Sequence, residues 1–158
     1  MKLSLLISTL ALLVVVGTGM YVSDFTAYLG DDPTTCNNCH VMDSAYEGWF
    51  HASHKQWANC NDCHTPSALI PKLVTKTRAG FRHVSAFTLG HIPEAIRAID
   101  ESRDIIQQNC VECHAETVSD VTIEQPMDVE RYCFECHRDV GHGQRGISTL
   151  PYKDTTGK

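Results

Sequence analysis

The sequence predicts a mainly α-helical chain with much coil: one N-terminal transmembrane helix, then a small domain not held together by an aliphatic core. Three observations predict it. Within 158 residues, an uncharged block from Leu3 to Val22 takes a large share of the 42% hydrophobic residues. What remains is poor in apolar side chains, at a size that suggests one modest domain. That remainder carries 8 Cys and 9 His, far above ordinary usage, so these residues are tied up in disulfides, metal or a covalent cofactor. The formal net charge of -6 lacks the basic footprint of a nucleic-acid binder.

The first element is the block Leu3–Val22, whose 20 residues as a helix match a hydrocarbon layer of roughly 30 Å. Lys2 precedes it, Asp24 follows, and Tyr21, Phe25 and Tyr28 stand where interfacial aromatics belong. The basic start favours a cytoplasmic N-terminus and an outward-facing remainder. A cleaved secretory signal is the rival, with Gly17-Thr18-Gly19 as small residues for cleavage. The apolar run exceeds a usual signal core, which favours a retained anchor. Residues 1–23 are therefore expected as the anchor and 24–158 as the exported domain.

All eight cysteines fall in four copies of one pattern: Cys36-Asn-Asn-Cys39-His40, Cys60-Asn-Asp-Cys63-His64, Cys110-Val-Glu-Cys113-His114 and Cys133-Phe-Glu-Cys136-His137. A shuffled chain of this composition would hold about 0.02 such pentapeptides, each the attachment signature of a c-type haem. Two thioether bonds need two sulfurs one turn apart, and the following histidine can swing beneath the ring to bind iron. Disulfides or zinc would use the same cysteines, but neither explains a histidine directly after every pair. The reading is a tetrahaem c-type cytochrome with four covalently bound haem c groups. The motifs begin 24, 50 and 23 residues apart, which suggests two di-haem halves, 36–64 and 110–137. With so little chain per haem, the porphyrins form the interior and short helices and loops wrap them. Closely spaced rings make an electron wire.

Between the halves, the stretch Pro66–Gly90 carries Lys72, Lys76, Arg78 and Arg82, with no acidic residue between Cys63 and Glu94. A basic, partly apolar helix here reads either as lipid-associated or as a solvated helix face. Pro93-Glu94 is expected to open a second helix, with Ile92, Ile96, Ile99 and Ile106 near helical spacing. Residues 115–131 are polar, contain Pro126 and are expected as a loop. The Gly141–Lys158 tail is expected as coil.

Four irons offer up to eight axial positions, and the motif histidines His40, His64, His114 and His137 fill four. His51, His54, His83, His91 and His142 remain. His54 and His142 lie close to motifs and are favoured as ligands, bis-histidine ligation being the common low-spin arrangement. Met42, two residues after His40, is a rival ligand for haem 1, and Met ligation raises a haem potential. From the residues alone His40 would ligate and Met42 would pack.

A single N-terminal anchor, four CxxCH motifs, a CxxCHxM first motif and the Lys76/His83/Leu89-Gly90-His91 region resemble the NapC/NirT quinol dehydrogenases. The short length and the ending Cys136-His137-Arg138-Asp139-Val140-Gly141-His142…Ile147-Ser148-Thr149 are most similar to the branch that forms the small subunit of cytochrome c nitrite reductase. The resemblance implies that Met42, not His40, is the proximal ligand of haem 1, and that haem 1 lies near the membrane surface where menaquinol is oxidised. It implies Lys76 beside the quinol pocket, His54 on haem 3 and His142 on haem 2. For haem 4 it implies His137 on one side and a lysine from the catalytic partner on the other. One departure stands out: His83 occupies a place where relatives carry aspartate. Seven residues from Lys76 and on the same helical face, His83 could accept a quinol proton or ligate haem 1 as its distal ligand.

The implied function is a menaquinol dehydrogenase in the cytoplasmic membrane, its bulk on the periplasmic side. It would feed the pentahaem catalytic subunit NrfA, which reduces nitrite to ammonium. No CxxCK motif is present, so the chain itself is not expected to reduce nitrite. The alternatives are a similar dehydrogenase feeding a periplasmic nitrate reductase or another reductase, a soluble periplasmic electron carrier, and a haem-rich structural adaptor.

Overall fold

The computed structural model describes residues 2–93, 96–124 and 131–143. Among them there is helix and connecting coil and no strand. The buried residues among them are all polar, Thr35, Thr65 and Asn109. The expectation that an aliphatic core does not hold the domain together agrees with this.

Helix α1, Lys2–Val22, buries none of its residues and is apolar on every side, the pattern of a helix made for lipid rather than for a core. Its 21 residues span about 31 Å, long and apolar enough to cross a membrane. Its hydroxyls are satisfied within the helix, Ser8 Oγ donating to the Ser4 carbonyl at 2.9 Å and Thr9 Oγ1 to that of Leu5 at 3.0 Å. Asp24 then adopts a left-handed conformation (φ 48°) and turns the chain into a 3-10 helix, Phe25–Leu29.

The helices that follow are short and locally capped. In α2, Pro33–Cys36, the Asp32 carboxylate accepts from the Thr34 N–H at 2.9 Å and its hydroxyl at 2.7 Å, with Pro33 at the first position, where its fixed φ and missing N–H cost nothing. These two bonds hold the Asp32 carboxyl below its usual range. A 3-10 turn over His40–Met42 leads into α3, Asp43–Phe50, and another over Ser53–Gln56 follows. Helix α4, Cys60–His64, starts on a capping box: Asn59 Oδ1 accepts from the N–H groups of Asn61 and Asp62, and Asp62 returns the bond to the Asn59 N–H.

Helix α5, Leu69–Thr88, is the expected basic helix. Three of its four expected cations are paired with carboxylates from elsewhere. Lys72 and Lys76 meet Asp31 at 2.9 and 3.1 Å, and Arg78 meets Glu101 at 3.2 Å. Its apolar residues Ile70, Val74, Phe81, Val84 and Phe87 are exposed.

The next helix does not open at Pro93-Glu94. Ile96–Ile99 are not helical, residues 94–95 lie outside the described chain, and α6 runs from Asp100 to Cys113. The isoleucine spacing misled. Asp100 and Glu101, in the first turn, favour the positive helix N-terminus and set the start there. Residues 115–131 are likewise not all loop, since α7 covers Ala115–Glu124. Pro126 lies beyond that helix, so it did not stop the preceding residues from coiling. It falls, with 125–130, outside the described residues, as does the tail from 144 onward. Helix α8, Cys133–Cys136, is the last among the described residues.

Helix α6 is the spine of the domain. Asn109 reaches back to the end of α4, its Nδ2 donating to the carbonyls of Cys63 at 3.0 Å and Thr65 at 2.9 Å. On the other side Gln107 Oε1 accepts the Cys133 N–H at 2.8 Å, and Asp104 accepts the Tyr132 hydroxyl at 2.7 Å. Arg103 meets Glu135 at 2.9 Å and lies 4.5 Å over the Tyr132 ring. Three of the four CxxCH segments are thereby joined through one helix.

Candidate haem and quinol site

The second, third and fourth CxxCH segments each contain a helical turn, which sets the two sulfurs on one side, whereas in the first α2 ends at Cys36 and a non-helical turn leads to Cys39. In the third and fourth, the histidine N–H closes that turn onto the first cysteine's carbonyl, His114 to Cys110 at 3.0 Å and His137 to Cys133 at 2.9 Å. No two of the eight cysteines are joined as a disulfide, and no group of three or more His, Cys, Asp or Glu converges among the described residues.

The sulfurs of successive segments are neighbours. Helix α2 packs on α4, α4 on α6 and α6 on α8, and the closeness of Cys36 and Cys60 pulls Cys36 down to about 7 and pushes Cys60 up. Cys63 is raised by burial, then by Asp62 and Cys113. Cys110 is raised to about 11 by burial and by Cys133, Cys63 and Cys113. Attachment points therefore follow one another in chain order from the first segment to the fourth.

Two non-motif histidines face motif histidines. The His54 and His114 rings stand 6.0 Å apart between centroids at 72°, and the His64 and His142 rings 6.0 Å apart at 45°. Two imidazoles bound to one metal at about 2 Å each leave their centroids about 6 Å apart, so each pair has the spacing of axial ligands on one iron. The tautomers suit that use. Carbonyls can only accept, so His54 Nδ1 donates to Val140 O at 3.0 Å and His142 Nδ1 to Ala45 O at 2.8 Å. That engages Nδ1 and leaves Nε2 as the nitrogen available to a metal. Burial, then the facing His142, pushes His64 down to about 4, keeping it neutral near pH 7. The residues fit haem c.

Around the first segment, the His40 side chain is fully exposed (102%) and lies 3.6 Å from Asp43, whereas Met42 is half-buried. His51 is engaged locally, its Nδ1 3.1 Å from the Glu47 carbonyl and 3.2 Å from its carboxylate. His91 follows the left-handed Gly90 (φ 69°) at the end of α5 and is exposed. His137 is exposed at the end of α8. Among the described residues, none of His51, His83 and His91 faces a motif histidine.

Lys76 is tied down. Its Nζ donates to the carbonyls of Leu29 (3.3 Å) and Gly30 and to Asp31 (3.1 Å), and the side chain is 11% exposed. Those three partners match the three protons an ammonium group carries. His83, two turns further along α5, is exposed, and partial burial followed by the Arg82 charge lowers its pKa. At neutral pH its imidazole is therefore uncharged.

Sequence reasoning missed Gly48, Asn109 and the Val140 carbonyl. Gly48 carried a signal: a lone glycine inside a helix is unfavourable and points to a close approach. A Cβ there would stand 2.3 Å from the His142 carbonyl oxygen.

Fold and site together define a c-type cytochrome with an N-terminal helix apolar enough to cross a membrane. The chain belongs to the NapC/NirT cytochrome c family, matching its N-terminal region over residues 1–146. It is 36% identical to the cytochrome c-type protein NrfH of Wolinella succinogenes, over 79% of this chain and 77% of that one. It is also 36% identical to the cytochrome c nitrite reductase subunit NrfH of Nitratidesulfovibrio vulgaris, over 78% and 76%. A crystal structure of the cytochrome c nitrite reductase NrfHA complex bound to the inhibitor HQNO superimposes with a TM-score of 0.65 at 32% identity, covering 92% of this chain and 93% of that chain.

Proposed function

We propose that the chain is a membrane-anchored menaquinol dehydrogenase that passes electrons through four c-type haems to a periplasmic pentahaem nitrite reductase subunit of the NrfA kind. The observation that carries this reading is the succession of neighbouring sulfurs from the first CxxCH segment, just beyond the anchor, to the fourth. Family membership and the likeness to the NrfHA complex support it.

Residues 1–23 are the anchor and 24–158 the periplasmic domain. The eight cysteines hold the haems, which when bound supply one-electron carriers. His54 with His114 would hold haem 3, and His64 with His142 haem 2. Met42 would hold haem 1 and exposed His137 haem 4, with a lysine of the catalytic partner as the further group on haem 4. Menaquinol loses two electrons and two protons to become menaquinone. His83 is the acceptor for a proton released there, with its neutral imidazole beside the cationic helix face. Lys76, with its protons engaged at residues 29–31, fixes α5 against the chain just beyond the anchor and lends the pocket positive charge.

The test uses the full-length holoprotein in liposomes. A menaquinol analogue should reduce its haems, and nitrite should reoxidise them only when the pentahaem subunit is added. Failure of quinol reduction, or equal reoxidation by nitrite without the partner, would overturn the reading. Coupling to a periplasmic nitrate reductase instead would show as nitrate-driven reoxidation. For His83→Ala the expected result is slower quinol oxidation with unchanged haem spectra; an altered spectrum would mean that His83 ligates iron.

A further inference from the structure

The turn Asp139–Gly143 touches both non-motif histidines that face motif histidines. It contributes His142 itself, and its Val140 carbonyl takes the Nδ1 proton of His54 at 3.0 Å. The turn closes on itself through the Gly143 N–H to the Asp139 carbonyl at 2.9 Å. It is seated against α3 by the bond from His142 Nδ1 to the Ala45 carbonyl at 2.8 Å.

The seat is made of two glycines. A Cβ on Gly48 would lie 2.3 Å from the His142 oxygen and 3.1 Å from its carbonyl carbon. Gly143 has a left-handed backbone (φ 61°), and a Cβ on it would lie 3.2 Å from the Gly48 oxygen. Backbone rather than a flexible side chain stands on each side, so neither contact can yield without moving the turn.

We propose that this turn is a clasp that sets the distal ligands of two haems at once, with Gly48 as the positioning residue that seats it. The proposal rests on the axial pairs assigned above. The carbonyl bonds to His54 and His142 fix each ring's tautomer and orientation and raise its basicity as a ligand. Because one turn supplies one ligand and orients the other, haems 2 and 3 respond together to any displacement of it.

The ligand assignment and the clasp are tested separately on the intact holoprotein. His54→Ala and His142→Ala should each remove a different bis-histidine low-spin signal in paramagnetic resonance. If neither changes a spectrum, the ligand assignment fails. Once those losses are seen, Gly48→Ala should perturb both signals in one variant and raise both haem potentials. Unchanged signals, or a change confined to one haem, would overturn the clasp. Should Gly48→Ala not mature, Gly143→Val and Gly143→Asn decide the matter. Asparagine tolerates the left-handed region far better than valine. Both signals should shift together in the valine variant and, by a smaller amount, in the asparagine variant, which carries the same Cβ with less backbone strain; a shift confined to one haem, or none in either variant, would overturn the proposal.

Discussion

Replacing Asn109 by alanine tests whether α6 is the spine joining the CxxCH segments. Asn109 is 9% exposed, and its amide donates two bonds, to the carbonyls of Cys63 at 3.0 Å and Thr65 at 2.9 Å. Losing one hydrogen bond removes about 1 kcal/mol, and more where a buried acceptor is left unpaired, so two bonds give roughly 2–4 kcal/mol. Alanine recovers about 0.5 kcal/mol through its better helix propensity. The net loss is about 1.5–3.5 kcal/mol, which for a chain of this size lowers Tm by about 3–14 °C. The assay is thermal unfolding of the oxidised holoprotein in detergent, followed by Soret circular dichroism. Asn109→Asp should be worse than alanine, because a carboxylate would face two carbonyl oxygens from a buried position. A midpoint for Asn109→Ala within about 2 °C of the parent would refute the reasoning, as would an aspartate variant no worse than the alanine one.

Two further outcomes follow from the site. Met42→Ala should alter the spectrum of the haem on the first segment, and His40→Ala should leave it unchanged, because Met42 is half-buried while the His40 side chain is fully exposed; the reverse pattern in absorbance and resonance spectra would return the ligand to His40. The Asp31 carboxyl is held below its usual value chiefly by its bond to Lys72, with Lys76 adding to the effect. A depressed pKa contributes stability that is present above the unfolded value near 3.8 and lost as pH falls through the folded one. Its side chain is 46% exposed, so Asp31→Asn should lower stability at pH 7 by about 1 kcal/mol or less. The gap between parent and variant in Tm should close below the ordinary carboxylate range, and a gap that persists there would show that charge is not the cause.

What could be read from the sequence was whatever is local along the chain. The uncharged run of α1 and the four CxxCH turns need only a few neighbouring residues to declare themselves. The caps built by Asp32 and by Asn59 with Asp62 are equally local. The boundary of α6 was misread because isoleucines at roughly helical spacing outweighed the acidic first turn at Asp100 and Glu101. Contacts between distant residues were not legible from composition or spacing, and only the family resemblance assigned His54 to the third haem and His142 to the second. His54 meets His114 across 60 positions, and His142 meets Ala45 across 97. The residues expected to surround quinol were found on α5, but that Lys76 spends its protons on residues 29–31 follows from how α5 lies against the chain just beyond the anchor. No periodicity encodes that.

The same lysine has a mechanical consequence. A domain joined to a membrane helix by a plain linker would swivel and bob, and a soluble acceptor would meet it in many attitudes. Here α5, 20 residues and about 30 Å long, is pinned near its first half to the segment leaving the anchor, by Lys72 and Lys76 on Asp31 and by Lys76 on two backbone carbonyls. It acts as a brace between α5 and the chain just beyond α1. In the proposed function, that brace would keep the first CxxCH segment, which follows directly at Cys36, in a fixed relation to the lysine and histidine carried on α5.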